Sequence, residues 1–238
     1  MQSYKALDWD SRFFGFSIAE FSPPEFDPQE FDKVKKHAKN AGVKLLVSIL
    51  PDGSDFKNRE QHNLVDNRVI LEIQTGNINF DTLAKAPDII ETYTSDIVPP
   101  SFLELAERAG HRSRYFTDPF FPNALAVKLY HQWATASVKG DMADIIFIAK
   151  DGEEIIGLGT TYVDSEGIGR PSIMAVMESH EGLGLGRSFI IASMRWLHEN
   201  GIATGRIITQ SENKLAINTY KKLGWVNVKT QNIYHVWL

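Results

Sequence analysis

The chain of 238 residues contains no cysteine. This excludes a disulfide framework, a thiolate nucleophile and any cysteine-ligated metal site, and it fits a reducing compartment. A concentrated basic surface is missing too. The 25 Lys and Arg are outnumbered by 30 Asp and Glu, giving a net charge of −5, whereas nucleic-acid binding relies on clustered cations. Lys33, Lys35, Lys36 and Lys39 read as the solvated face of one helix. Long hydrophobic runs are also absent. Val43 to Leu50 is too short to cross a bilayer and carries Lys44, and the first ten residues have no apolar signal-peptide core. The expectation is a soluble cytoplasmic protein with neither a nucleic-acid nor a membrane partner, and no metal. What is present, 43% hydrophobic and 23% charged residues, is the balance of a globular protein with a real core.

The length suits one large domain or two smaller ones. In the first half, Pro28 to Asn40 is predicted helical, with Asp27 as N-cap, Pro28 at the first helical position and Gly42 beyond the end. Leu45–Leu50 and Val69–Ile73 read as strands, and Ser101–Ala109 as a short helix. Turn residues at Thr75–Asn77, Lys85–Pro87 and Val98–Pro100 mark connections. We expect an N-terminal α/β domain over 1–110 and a second domain over 111–238. The second half predicts a helix at Asn123–Ser137, strands at Ile145–Ala149, Ile155–Tyr162 and Ser172–Val176, and a glycine-rich loop. A helix at Gly186–Asn200, a strand at Ile207–Thr209, a helix at Asn213–Leu223 and a terminal pair of strands at Trp225–Val228 and Tyr234–Trp237 complete it. The order implies a mixed central sheet flanked by helices, in the α/β or α+β class.

The loop Glu181-Gly182-Leu183-Gly184-Leu185-Gly186-Arg187 carries the chemistry. Glycines between a strand end and a helix start let successive N–H groups turn toward one point, at the positive end of a helix dipole. Such a loop suits a phosphate or pyrophosphate, although a glycine-rich turn without a ligand is the plainer alternative. A P-loop requires Gly-Lys-Ser/Thr, and Arg187 stands at the Lys position. A dinucleotide fingerprint starting at Gly182 needs a third glycine where Arg187 lies. Downstream, Asn213 and Tyr220 lie two helical turns apart and project from one face of a helix. A helical tyrosine by itself is more often core than catalyst.

Taken together, Gly184-Leu-Gly186 and Asn213-Lys-Leu-Ala216-Ile-Asn-Thr-Tyr220-Lys-Lys-Leu-Gly224-Trp225 resemble the two signatures of the GNAT superfamily of acyl-CoA N-acyltransferases, over residues 111–238. The coenzyme A loop of that family reads R/Q-x-x-G-x-G/A, and Glu181 departs from it at the first position. Two further segments, Leu7-Asp-Trp-Asp-Ser-Arg-Phe-Phe-Gly15 and Gly110-His-Arg-Ser-Arg-Tyr-Phe-Thr-Asp-Pro-Phe-Phe-Pro122, are similar to those of the dTDP-fucosamine acetyltransferases of bacterial surface-polysaccharide synthesis. These enzymes carry a smaller domain ahead of the GNAT domain.

The resemblance implies acetyl-CoA, or another short acyl-CoA, as co-substrate, held by Met174, Ala175, Val176, the loop residues Glu181 to Arg187, Asn213 and Tyr220. Tyr220 is the expected general acid toward the departing thiolate. The base is open between His180, Glu178, Asp118 and an ordered water. The acceptor is a nucleotide-linked amino sugar, with Arg112 and Arg114 toward its diphosphate and Tyr115, Asp118 and Phe121 around it. The same aromatics could equally close a seam between domains. A protein or small-molecule amine as acceptor, or a non-catalytic acyl-CoA sensor, are the other readings, and a homodimer is the usual expectation for such enzymes.

Overall fold

The computed structural model describes residues 4–54, 63–81, 83 and 89–238. Among these, ten strands form one sheet in the order β1-β2-β3-β10-β4-β9-β8-β7-β6-β5. The strands are β1 (Lys5–Ala6), β2 (Ile18–Phe21), β3 (Leu45–Pro51), β4 (Asn63–Gln74), β5 (Ile90–Thr92), β6 (Ile145–Asp151), β7 (Glu154–Val163), β8 (Gly169–Val176), β9 (Thr204–Gln210) and β10 (Val226–Trp237). The helices are α1 (Asp8–Phe14), α2 (Pro28–Asn40), α3 (Pro100–Gly110), α4 (Arg114–Thr117), α5 (Asn123–Val138), α6 (Leu185–Glu199) and α7 (Lys214–Lys222). Strands from both sides of position 110 interleave, because β10 lies between β3 and β4.

Local chemistry accounts for the ends of α2. The Asp27 side chain accepts from Gln29 N at 2.8 Å, and Pro28 occupies a position whose N–H would have no helical partner. Phe31, Val34 and Ala38 form its buried stripe. The Lys85–Pro87 turn lies outside the described residues.

Two expectations need correction. The terminal pair of strands is a single strand, β10, running from Val226 to Trp237. Its polar middle, Asn-Val-Lys-Thr-Gln-Asn, imitates a turn. Instead the register against β4 shifts between Asn227 and Lys229, and the Asn227 side chain accepts from Lys229 N at 3.1 Å. A β-bulge of this kind takes up turn-forming residues without ending the strand. Likewise β4 begins at Asn63, six residues before the expected start at Val69, because its first half, Asn-Leu-Val-Asp-Asn-Arg, is largely polar and shows no strand alternation.

The sheet is continuous but not evenly joined. β8 and β9 run parallel and pair at one register position, Gly169 with Gly205. Beyond it toward their C-terminal ends they share no further paired position. The junction is tightly packed: a Cβ on Gly169 would collide with the Leu197 side chain of α6, and one on Gly205 would meet Ile73 and Trp225 at 3.0 and 3.1 Å. Overpacking of this kind costs about 1–3 kcal/mol. Gly169→Ala should therefore lower unfolding free energy by that amount in urea titrations.

Candidate active site

The loop after β8 has the geometry of an anion cradle. It passes through a 3-10 turn at Glu178–His180 and reaches α6 through Gly182 (φ +80°) and Gly184 (φ +81°), both in the left-handed region that favours glycine. Gly184 is the N-cap of α6, and no side chain caps that end. The first-turn N–H groups are thus open to a ligand, at the positive pole of a 15-residue helix. A Cβ at Gly182, Gly184 or Gly186 would meet nothing within 4 Å, so the space in front of the loop is unfilled by protein.

Glu181, the acidic departure in this loop, is neutralised. Its carboxylate accepts from Arg108 Nη2 at 2.5 Å, and Arg108 Nη1 lies 3.6 Å from Glu178. A guanidinium from the end of α3 therefore stands beside the loop. Leu183 is exposed, Leu185 is buried in the cluster around Phe189, and Arg187 lies in the first turn of α6. Met174, Ala175 and Val176 form the last part of β8, along the edge that has parted from β9.

Asn213 caps α7. Its side chain accepts from Ala216 N at 3.4 Å and donates to Thr209 Oγ1 at 3.3 Å, which ties the helix to the end of β9. Tyr220 projects from α7 into the cluster of Ile190, Met194, Ile207, Leu223 and Trp225, with Met174 packed beside it. The residue is 9% exposed, and burial pushes the phenol up to about 12, so it stays protonated at neutral pH.

On the other face of the sheet, a cavity of about 750 Å³ opens between strands and helices. Ile49, Asp66, Arg68, Ile208 and Ile233 come from β3, β4, β9 and β10, while Arg114, Tyr115, Gln132 and Trp133 come from α4 and α5. Trp9, Asp10 and Glu20 close the far side. Of the residues expected around an acceptor, Arg114 and Tyr115 reach this cavity. Arg114 donates from Nη2 to the Tyr115 hydroxyl at 2.7 Å. Arg112 is exposed and does not line the cavity.

Asp118 and Phe121 lie in the core instead. Asp118 accepts from Asn63 Nδ2 (2.9 Å), Phe120 N (3.0 Å), His235 Nδ1 (2.7 Å) and Trp237 Nε1 (3.0 Å). Phe121 packs among Phe14, Tyr115, His235 and Trp237. His180 sits between Ser179 and Asp151, and Glu178 is largely exposed. None of the three base candidates lines the cavity. Asp66 and Arg68 do, and the sequence reading passed over them. The available signal was a carboxylate and a guanidinium two residues apart, just ahead of the apolar run Val69 to Ile73.

The fold has counterparts among known proteins. Residues 109–225 match the acetyltransferase (GNAT) family. A GCN5-related N-acetyltransferase from Sphaerobacter thermophilus superposes with a TM-score of 0.61 at 12% identity, covering 98% of this chain and 75% of that one. This is the GNAT fold. Among curated relatives, a mycothiol acetyltransferase from Streptomyces avermitilis is 32% identical over 89 residues, 37% of this chain and 29% of the relative. The spore coat polysaccharide biosynthesis protein SpsD of Bacillus subtilis is 28% identical over 135 residues, 56% and 46% of the two chains. The matched part thus spans less than half the length of either relative.

The Asp118 cluster ties the GNAT segment to β10 and β4. Removing a buried carboxylate with four donors leaves them unpaired, a loss of about 3–5 kcal/mol. Asp118→Ala should show it in urea titrations at pH 7. The same cluster sets an acid sensitivity. Burial holds the His235 pKa below its ordinary value, against the opposing pull of Asp118. A depressed pKa contributes stability above the unfolded value, about 6.5, and loses it as pH falls through the folded one. The urea midpoint should therefore decline below about pH 6.5, and less so in His235→Gln.

Proposed function

We propose that the chain transfers an acetyl or other short acyl group from acyl-CoA to a primary amine, and that the amine belongs to a dTDP-linked amino-dideoxy sugar. The observation that carries the transfer is the single-position pairing of β8 and β9 beside the uncapped start of α6. The coenzyme's pyrophosphate accepts from the N–H groups of the 182–187 loop, and Arg108 supplies the nearby positive charge that the loop's Glu181 lacks. The pantetheine amides pair with the free edge of β8 at Met174 to Val176, as an added strand would. The thioester then lies in the gap between the two strands.

The residues on either side supply the chemistry. The amine nitrogen attacks the thioester carbon, a C–N bond forms and the C–S bond breaks. Tyr220 gives its proton to the departing thiolate. Its raised pKa keeps that proton in place until sulfur develops charge. Backbone N–H near Ala175 or Val176 faces the oxyanion.

For the acceptor, the cavity offers both signs of charge. Arg68 and Arg114 suit a diphosphate, four carboxylates suit an ammonium, and Trp9, Tyr115 and Trp133 offer faces for a base or sugar ring. The likeness to SpsD, named for polysaccharide biosynthesis, supports a sugar acceptor. The mycothiol acetyltransferase likeness favours a different small amine as the second reading. A thiol-release assay with acetyl-CoA across dTDP-fucosamine, other amino sugars and small amines decides between them. Release that needs no amine at all would remove the transfer reading.

Two variants test the coenzyme side. Tyr220→Phe should lower kcat about a hundredfold or more while the acetyl-CoA Kd, from calorimetry, stays within twofold of wild type. Gly186→Val places a side chain in the open space before the loop, so acetyl-CoA binding should weaken at least tenfold. Thermal stability should not fall, because valine is a slightly better helix former than the glycine it replaces, by about 0.3 kcal/mol.

A further inference from the structure

Three residues lining the cavity bury a polar atom that has no hydrogen-bond partner among the described residues: Ser113 Oγ, just ahead of α4, and the pair Asp66 Oδ1 and Arg68 Nε. Asp66 and Arg68 belong to β4 and, two positions apart, face the same side of the sheet. Arg68 spends Nη2 on Gln231 Oε1 at 2.7 Å, which fixes the guanidinium and leaves Nε free. Burying an acceptor and a donor unpaired is costly. That cost is understandable where a ligand supplies the missing partners.

We propose that Asp66 is the general base of the transfer, receiving the acceptor's ammonium in the cavity and removing one proton from it, with Arg68 Nε donating to an oxygen of the same acceptor. The proposal rests on the acyltransfer reading above. Three other carboxylates line the cavity, and position separates them from this role. Glu20 lies on β2, three strands from β4 in the sheet order, and its charge faces the guanidinium groups of Arg68 and Arg114. Asp10 comes from α1, which leads into β2, and Asp141 from the segment after α5. Asp66, by contrast, is on the strand hydrogen-bonded to β9, the wall of the gap.

The two faces of β9 explain how acid and base reach one reaction centre. Ile207 packs in the cluster that holds Tyr220, while its neighbour Ile208 lines the cavity with Asp66. Successive strand residues point to opposite faces. Tyr220 and Asp66 thus lie on opposite sides of the sheet, and the opening between β8 and β9 lets a thioester meet both.

The electrostatics agree with a base. Burial pushes the Asp66 carboxyl up to about 6, against the pull of Arg68 beside it, of the Gln210 side chain on β9 and of Arg114 on α4. Tyr115, Gln132, Asp10, Glu20 and Asp141 complete the polar and charged surroundings. At neutral pH the group is largely ionised and a better base than an ordinary aspartate. In the step itself, the ammonium loses one proton to the carboxylate. The nitrogen lone pair forms the C–N bond, the C–S pair leaves on sulfur, and sulfur takes the Tyr220 proton. The second nitrogen proton restores the phenol, and Asp66 releases its proton to water.

The pH profile of the rate gives a readout that a structural aspartate would not share, and linkage reports the ionisation of Asp66 separately. The folded pKa of Asp66 exceeds the unfolded value of 3.8. Stability therefore falls as pH rises from about 4 to about 6, and the ionised carboxylate weakens the fold above that. Asp66→Asn should unfold at higher urea than wild type at pH 8, while kcat with acetyl-CoA and dTDP-fucosamine drops about a hundredfold. The acetyl-CoA Kd should not change, the acidic limb of wild-type kcat/KM near pH 6 should vanish, and Asp66→Glu should recover part of the rate. A fall in kcat of under tenfold, or a limb that persists in Asp66→Asn, overturns the proposal. If wild type fails to acetylate dTDP-fucosamine, the amino-sugar reading fails on its own. The Asp66 assignment is then tested with whichever amine the thiol-release assay identifies: loss of the acidic limb and a roughly hundredfold lower kcat in Asp66→Asn support it, and an unchanged profile overturns it.

Discussion

The parting of β8 from β9 is the constraint on which the rest of the site depends. A sheet normally satisfies the backbone of every interior strand, and an unpaired edge inside the molecule leaves polar groups that water or a ligand must serve. Here the two strands are paired only where neither has a side chain, at Gly169 and Gly205, with Leu197 packed against the joint. Past that point β8 offers the free edge of Met174 to Val176. The loop that follows opens toward α6, so the same divergence exposes both the strand edge and the helix pole.

The surroundings hold this opening in place from two sides. On one, α6 and α7 bury Phe189, Met194, Tyr220 and Trp225 against β4, β7 and β9. On the other, the aromatic group of Phe14, Tyr115, Phe121 and Trp237 gathers around Asp118 and His235. Because β10 runs between β3 and β4, the N-terminal strands become the floor of the cavity. The first hundred residues thus contribute Asp66 and Arg68 to the cavity, while the glycine loop and the open start of α6 come from the second half.

Much of this was legible in the sequence, and the limits have physical causes. A capped, strongly periodic α2 and the helical spacing of apolar residues in α5 and α6 made these helices readable within a residue or so, and the glycine alternation at 182–186 marked the loop. Glu181 looked like an obstacle because its partner Arg108 is 73 residues away in sequence. The short elements α1, β2, α4 and β5 escaped because three to seven residues are too few to express a period. Asp118 and Phe121 sit in the same aromatic segment as Tyr115, and only packing tells which of these side chains face the cavity.

β4 illustrates the deepest limit. Its apolar half, Val69 to Ile73, reads as a strand because the residues that fold it are also the residues that reveal it. The half carrying Asp66 and Arg68 breaks the alternation, and such breaks resemble a loop in sequence. A functional strand end must carry groups that a stable strand would avoid, as the unpaired Oδ1 and Nε do. The chemistry of this site is therefore concentrated where local folding rules are locally disobeyed, held there by the regular strands β9 and β10 on either side.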